Sequence, residues 1–146
     1  SWLYEVKAGG TSIWERWDAL RPDGTVNLGK DPGSGLVNAV GGGMVSFNHY
    51  ANGAVGDWLY RRVAGLEAIE PGYKKFKVAP LVGGGLTSVS CFKKLSSGTI
   101  KINWNFENGV FVLSINVPFN TSAVITLPDG KSFEVSSGKY VYSVEM

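Results

Sequence analysis

The stretch that decides the fold is IKINWNFENGVFVLSINV, residues 100–117. Its first half alternates apolar with polar side chains, and this period of two is typical of a half-buried β-strand. The apolar positions of that half are Ile100, Ile102, Trp104 and Phe106. Asn108-Gly109 follows, and this dipeptide is the one best suited to a type I′ hairpin turn. The return segment again alternates up to Pro118, so we predict an antiparallel β-hairpin.

Similar short segments continue on both sides of this hairpin. Alternating apolar positions occur in residues 123–127, 133–135 and 140–144, and turn sequences (Pro128-Asp129-Gly130 and Ser137-Gly138) separate them. Val89 and Cys91 indicate an earlier strand. Several short strands with regular turns predict a small antiparallel β-sandwich.

The N-terminal half has a different pattern. Apolar residues between Met44 and Leu66 recur at helical spacing, and residues 1–8 resemble the end of a helix closed by Gly9-Gly10. A long glycine- and proline-containing loop is predicted between Asp18 and Gly43. Glu70-Pro71-Gly72 interrupts any helix. We therefore predict a helical region at residues 1–72 and a β-domain at residues 73–146, and the few helices suggest a piece of a larger helical domain.

Composition excludes several classes of protein. Of the 146 residues, 44% are hydrophobic and 18% charged, which is too apolar for a disordered chain, and no apolar run is long enough to span a membrane. A net charge of +2 does not favour a nucleic-acid partner. The single cysteine, Cys91, excludes an internal disulfide and a cysteine-built zinc site, and we expect no cofactor and no metal.

The densest group of chemically useful side chains is TSIWERWD, residues 11–18. Trp14 and Trp17 flank the carboxylate of Glu15. Aromatic faces stack on the apolar faces of a sugar ring, while a carboxylate accepts hydrogen bonds from hydroxyls or acts in acid–base chemistry. The alternative is an amphipathic turn with its tryptophans in a core, and residue types alone leave both interpretations open.

The second group is SFNHY, residues 46–50, which contains the only histidine, His49. A lone histidine here is consistent with a structural hydrogen-bond donor as well as with a ligand-binding group. Without a second histidine or a cysteine nearby, the segment does not predict a metal site.

These segments together resemble the C-terminal portion of bacterial α-L-rhamnosidases, glycoside hydrolase family 78. The resemblance is carried by residues 11–18, 46–51 and 53–60, and it extends through Pro71–Lys74 and Gly83–Thr87. It implies an α-helical remnant of an (α/α)6 barrel followed by an antiparallel β-sandwich. It also implies an inverting glycosidase that releases terminal α-L-rhamnose from a rhamnose-containing oligosaccharide or glycoside.

The resemblance also implies roles for individual residues. Glu15 falls on the position of the general base, Trp14 or Trp17 would help to wall the rhamnose pocket, and His49 falls on the sugar-binding histidine. Nothing before Thr11 resembles the acidic motif that supplies the family's general acid. We therefore expect the 146 residues alone to be inactive.

Two further possibilities follow from the sequence. The chain could instead be a non-catalytic carbohydrate-binding or structural β-sandwich module, although four of its five tryptophans precede residue 72. Apolar helix faces without a partner in the chain also make a homodimer possible.

Overall fold

The computed structural model describes residues 1–29 and 43–146, and these form two compact units. The units are Ser1–Val55 and Gly56–Met146. Most of the predicted loop between Asp18 and Gly43 lies outside the described residues. The domain boundary placed at residue 72 stays a prediction.

The first unit begins with helix α1, Trp2–Lys7. The chain reverses directly after it, because Gly9 has a φ of +82°, a conformation that glycine adopts without strain. This confirms the predicted helix end. The unit closes with a 3₁₀ turn at Asn52–Ala54.

The long helix predicted from Met44 to Leu66 is wrong in its first half and at its end. Helix α2 spans only Val55–Trp58, and a π-helical turn continues it over Leu59–Val63. Before residue 52 the backbone N–H groups donate to acceptors outside a helix. For example, the Asn48 N–H donates to the Ser46 hydroxyl at 3.1 Å. Such local side-chain bonds compete with helix formation. At the other end, Gly65 turns the chain into a strand with a φ of +80°.

The second unit is a sandwich of two four-stranded sheets, ordered β1-β2-β6-β7 and β3-β4-β5-β8. The strands are β1 Leu66–Ala68, β2 Lys75–Val78, β3 Ser88–Leu95, β4 Gly98–Glu107, β5 Val110–Val117, β6 Ser122–Thr126, β7 Ser132–Val135 and β8 Gly138–Glu145. The predicted hairpin is β4–β5, and Asn108 and Gly109 both have positive φ, as a type I′ turn requires. The helical segment followed by a sandwich was thus correctly predicted, with one difference of detail. Strand β2 pairs with β6 in parallel, whereas the other pairs are antiparallel.

The sandwich core draws side chains from both sheets. Trp104 of β4 is 2% exposed, and its indole N–H donates to the Val63 carbonyl at 2.9 Å. The other large, fully buried side chains are Phe76, Phe111, Leu66, Ile100, Ile102, Leu113, Ile115, Ile125 and Val78. Because Val63 belongs to this same core, the π-helical turn is packed onto the sandwich.

The junction at Gly65 gives a stability prediction. A Cβ atom at Gly65 would lie 2.3 Å from the Pro80 nitrogen, whereas a Cβ at Gly84, which also has positive φ, would meet nothing within 4 Å. We expect Gly84→Ala to cost about 1–2 kcal/mol from backbone conformation alone, and Gly65→Ala to cost more than about 3 kcal/mol because the backbone must shift. Urea unfolding followed by circular dichroism measures both, and equal losses would contradict the packing at this junction.

Candidate active site

The candidate site forms where residues 13–15 lie alongside residues 46–49. The Glu15 N–H donates to the Ser46 carbonyl at 2.9 Å, and the His49 N–H donates to the Ile13 carbonyl at 2.8 Å. The Ser12 hydroxyl adds a bond to the Phe47 carbonyl at 2.6 Å. The two groups of side chains identified in the sequence are therefore brought together by backbone pairing.

The Glu15 carboxylate is half-buried and fixed at one oxygen. Its Oε2 atom accepts the Ser46 backbone N–H at 2.8 Å. Within residues 1–29 and 43–146, its Oε1 atom accepts no hydrogen bond. A carboxylate with one oxygen oriented and the other available is suited to accept a proton from a water molecule.

The Trp14 side chain is buried against other aromatic rings and is not exposed to solvent. Its side chain is 4% exposed, and its ring meets those of Phe47 and Tyr4 edge to face, at centroid distances of 5.2 and 6.3 Å. In the described part of this unit, Trp14 therefore acts as a support for the neighbouring Glu15. Its role in sugar binding stays a prediction.

Trp17 is the more accessible of the two motif tryptophans, with 47% of its surface exposed. Its ring and that of Trp2 pack edge to face, with their centroids 5.4 Å apart. Trp2 is itself held by a 3.0 Å bond from its indole N–H to the Asn52 carbonyl. A supported and exposed indole is the kind of side chain on which a pyranose stacks.

His49 is oriented by its own backbone. Its Nδ1 atom accepts the Ala51 N–H at 3.2 Å, and its ring stacks on Tyr50 at 4.8 Å. When Nδ1 of a neutral imidazole accepts, the proton lies on Nε2. In residues 1–29 and 43–146 this Nε2–H group makes no hydrogen bond, so it can donate to a hydroxyl.

The other charged residues of the motif bind each other. Arg16 lies 3.2 Å from an Asp18 oxygen and donates to the Asn27 carbonyl at 3.0 Å. The Asn27 amide donates in turn to Asp18 at 2.7 Å. These contacts anchor the C-terminal side of the motif. Of the two carboxylates in the motif, Asp18 is paired with Arg16, whereas Glu15 has no charged partner among the described residues.

The supporting roles of three residues were not identified from the sequence. Ser46 acts through its backbone N–H, and Asn52 donates to the carbonyls of Trp14 and Glu15 at 3.2 and 3.4 Å. Glu5 of α1 accepts the Trp14 N–H at 3.3 Å. Asn52 lay within the helix predicted from Met44 to Leu66, but no pattern indicated its role. No sequence pattern indicated a role for Glu5.

The described residues contain no group of three or more His, Cys, Asp or Glu side chains that could hold a metal ion. None of the helices in the described ranges is long and apolar enough to cross a membrane.

Family models match nearly the whole chain. Residues 65–142 match the bacterial α-L-rhamnosidase C-terminal domain, and residues 1–63 match the bacterial α-L-rhamnosidase six-hairpin glycosidase domain. The chain belongs to the bacterial α-L-rhamnosidase family. The resemblance inferred from the motifs is thereby confirmed.

Individual members of the α-L-rhamnosidase family are similar over almost all of these residues. The chain is 33% identical to the α-L-rhamnosidase of Streptomyces avermitilis, with 99% of this chain and 15% of that one covered. The structure of that enzyme complexed with L-rhamnose superimposes with a TM-score of 0.78. The α-L-rhamnosidase structure from Aspergillus terreus gives a TM-score of 0.80 at 38% identity, covering 99% of this chain and 16% of that one.

Another α-L-rhamnosidase is similar over most of the chain. An α-L-rhamnosidase of Formosa agariphila is 35% identical, with 90% of this chain and 13% of that one covered. The chain thus spans about one seventh of the length of the relatives it matches.

Proposed function

We propose that this chain is the C-terminal part of a longer, inverting α-L-rhamnosidase that releases terminal α-L-rhamnose from glycans or glycosides. The observation that carries the proposal is the Glu15 carboxylate, with Oε2 held by Ser46 and Oε1 available. The family membership and the short share of each relative's length that the chain covers support it.

In this proposal Glu15 is the general base. Its Oε1 atom takes a proton from a water molecule, and the water oxygen forms a bond to the anomeric carbon as the bond to the leaving oxygen breaks. A carboxylic acid elsewhere in the longer enzyme protonates that leaving oxygen. In inverting glycosidases the two carboxyl groups lie about 6.5–9.5 Å apart, which leaves room for the water.

Trp17 and His49 are proposed to bind the sugar. The exposed face of Trp17 would stack on the ring, and the Nε2–H of His49 would donate to a hydroxyl. Trp14, being buried, would contribute to the pocket wall mainly by holding its neighbours.

Trp104 is buried in the sandwich core, which favours the enzymatic interpretation over a carbohydrate-binding module that displays its tryptophans on the sheet. Leu3 and Val6 of α1 are exposed apolar residues through which two copies of the isolated chain could pair, and sedimentation at rising concentration would detect this dimer.

The base assignment is tested by Glu15→Gln in the full-length enzyme. The amide cannot take the proton, so kcat on an aryl α-L-rhamnoside should fall about 10²–10⁴-fold. The exposed Glu107→Gln is the matched control and should leave kcat unchanged. The isolated 146-residue chain should show no turnover, because it lacks the acid. An E15Q enzyme with the original kcat would exclude Glu15 as the base.

The sugar-binding role is tested with two equally exposed tryptophans. Trp17 and Trp58 are 47% and 49% exposed, but only Trp17 lies in residues 11–18, two positions from Glu15. We expect Trp17→Ala to raise KM about tenfold, because a stacking contact of about 1.4 kcal/mol is lost. Trp58→Ala should leave KM within about twofold of the original. Steady-state kinetics on the full-length enzyme measure both, and equal effects of the two substitutions would contradict the role of Trp17.

A further inference from the structure

Helix α1 carries a buried carboxylate that the proposed reaction does not use. Glu5 is 3% exposed. Its Oε2 atom accepts the backbone N–H of Trp14 at 3.3 Å, whereas its buried Oε1 atom has no partner among the described residues. Burying a carboxylate that is only partly hydrogen-bonded is unfavourable. Proteins that keep such an unfavourable group often do so at a functional site.

The position of Glu5 is informative because it completes the support of the Trp14-Glu15 dipeptide. The Trp14 N–H donates to Glu5, and the Glu15 N–H donates to the Ser46 carbonyl. The carbonyls of both residues accept from the Asn52 amide at 3.2 and 3.4 Å. All four backbone polar groups of the dipeptide thus have partners, and Glu5 is the only ionisable one.

The loop between α1 and the motif leaves little room for Glu5 to move. The Glu5 carbonyl accepts the Gly10 N–H at 2.9 Å. A Cβ atom at Gly10 would lie 2.9 Å from that carbonyl oxygen and 3.1 Å from Nε1 of Trp14, so the backbone is packed closely against both. Glu5 therefore holds the chain at Gly10 with its carbonyl and at Trp14 with its side chain.

We propose that Glu5 is a positioning residue for Glu15. Its carboxylate fixes the Trp14 N–H and thereby the backbone from which the Glu15 side chain extends. This inference rests on the proposed function, because it requires Glu15 to be the base.

The test compares variants of the full-length enzyme on an aryl α-L-rhamnoside. Glu5→Leu removes the acceptor, so kcat should fall about 10–100-fold while KM stays within about threefold. Glu5→Gln keeps a carbonyl oxygen for the Trp14 N–H and should restore kcat to within about threefold of the original. Lys7→Leu makes a similar change at an exposed position of the same helix and should have no effect.

A double-substitution cycle separates positioning from general support. Because Glu5 acts through Glu15, adding Glu5→Leu to the Glu15→Gln enzyme should lower kcat no further. Multiplicative losses would overturn the proposal, as would the original kcat in a folded E5L enzyme. A loss in E5Q as large as that in E5L would also overturn it.

Glu5→Asp decides the question if E5L does not fold. It keeps the charge but shortens the side chain by one methylene, which withdraws the oxygen from the Trp14 N–H, so kcat should again fall. The original kcat in E5D would overturn the positioning role. An E15Q enzyme with full activity would instead refute the proposed function, and with it the base that Glu5 is proposed to position.

Discussion

The hydrogen bond from the Ser46 N–H to the Glu15 carboxylate joins two segments that lie thirty-one residues apart. Neighbouring bonds between Glu15 and Ser46 and between His49 and Ile13 hold the same segments through their backbones. Because these backbone groups bond across the unit, they are not available for a helix. The same pairing explains the irregular chain before residue 52 and the orientation of the candidate base.

Helix α1 also supports the segment that contains Trp14 and Glu15. The Tyr4 hydroxyl donates to the Leu20 carbonyl at 2.8 Å, and the Tyr4 ring meets that of Trp14. The tight reversal at Gly9 and the close approach at Gly10 bring the motif back along the helix. A six-residue helix is marginal by itself in water, so these contacts and the helix stabilise each other.

The sandwich was predictable because its signals are local. Alternation over residues 100–107, the Asn108-Gly109 turn and the breaks at Pro118 and Pro128 each act within a few residues. Strands β1 and β2 were not identified from the sequence, and the parallel pairing of β2 with β6 joins segments more than forty residues apart. The helix from Met44 was overpredicted because its apolar spacing says nothing about backbone bonds made to distant residues. In the site, the aromatic and charged side chains could be identified from the sequence, but Ser46 could not, since it acts through an N–H that every non-proline residue has.

In the proposed reaction, the Glu15 carboxylate activates water on the face of the sugar opposite to the leaving group. The anomeric configuration of the released sugar tests this most directly. Proton NMR of the full-length enzyme acting on an aryl α-L-rhamnoside, recorded before mutarotation is complete, should show β-L-rhamnose as the first product. Initial release of α-L-rhamnose would mean that configuration is retained, and it would contradict the role assigned to Glu15.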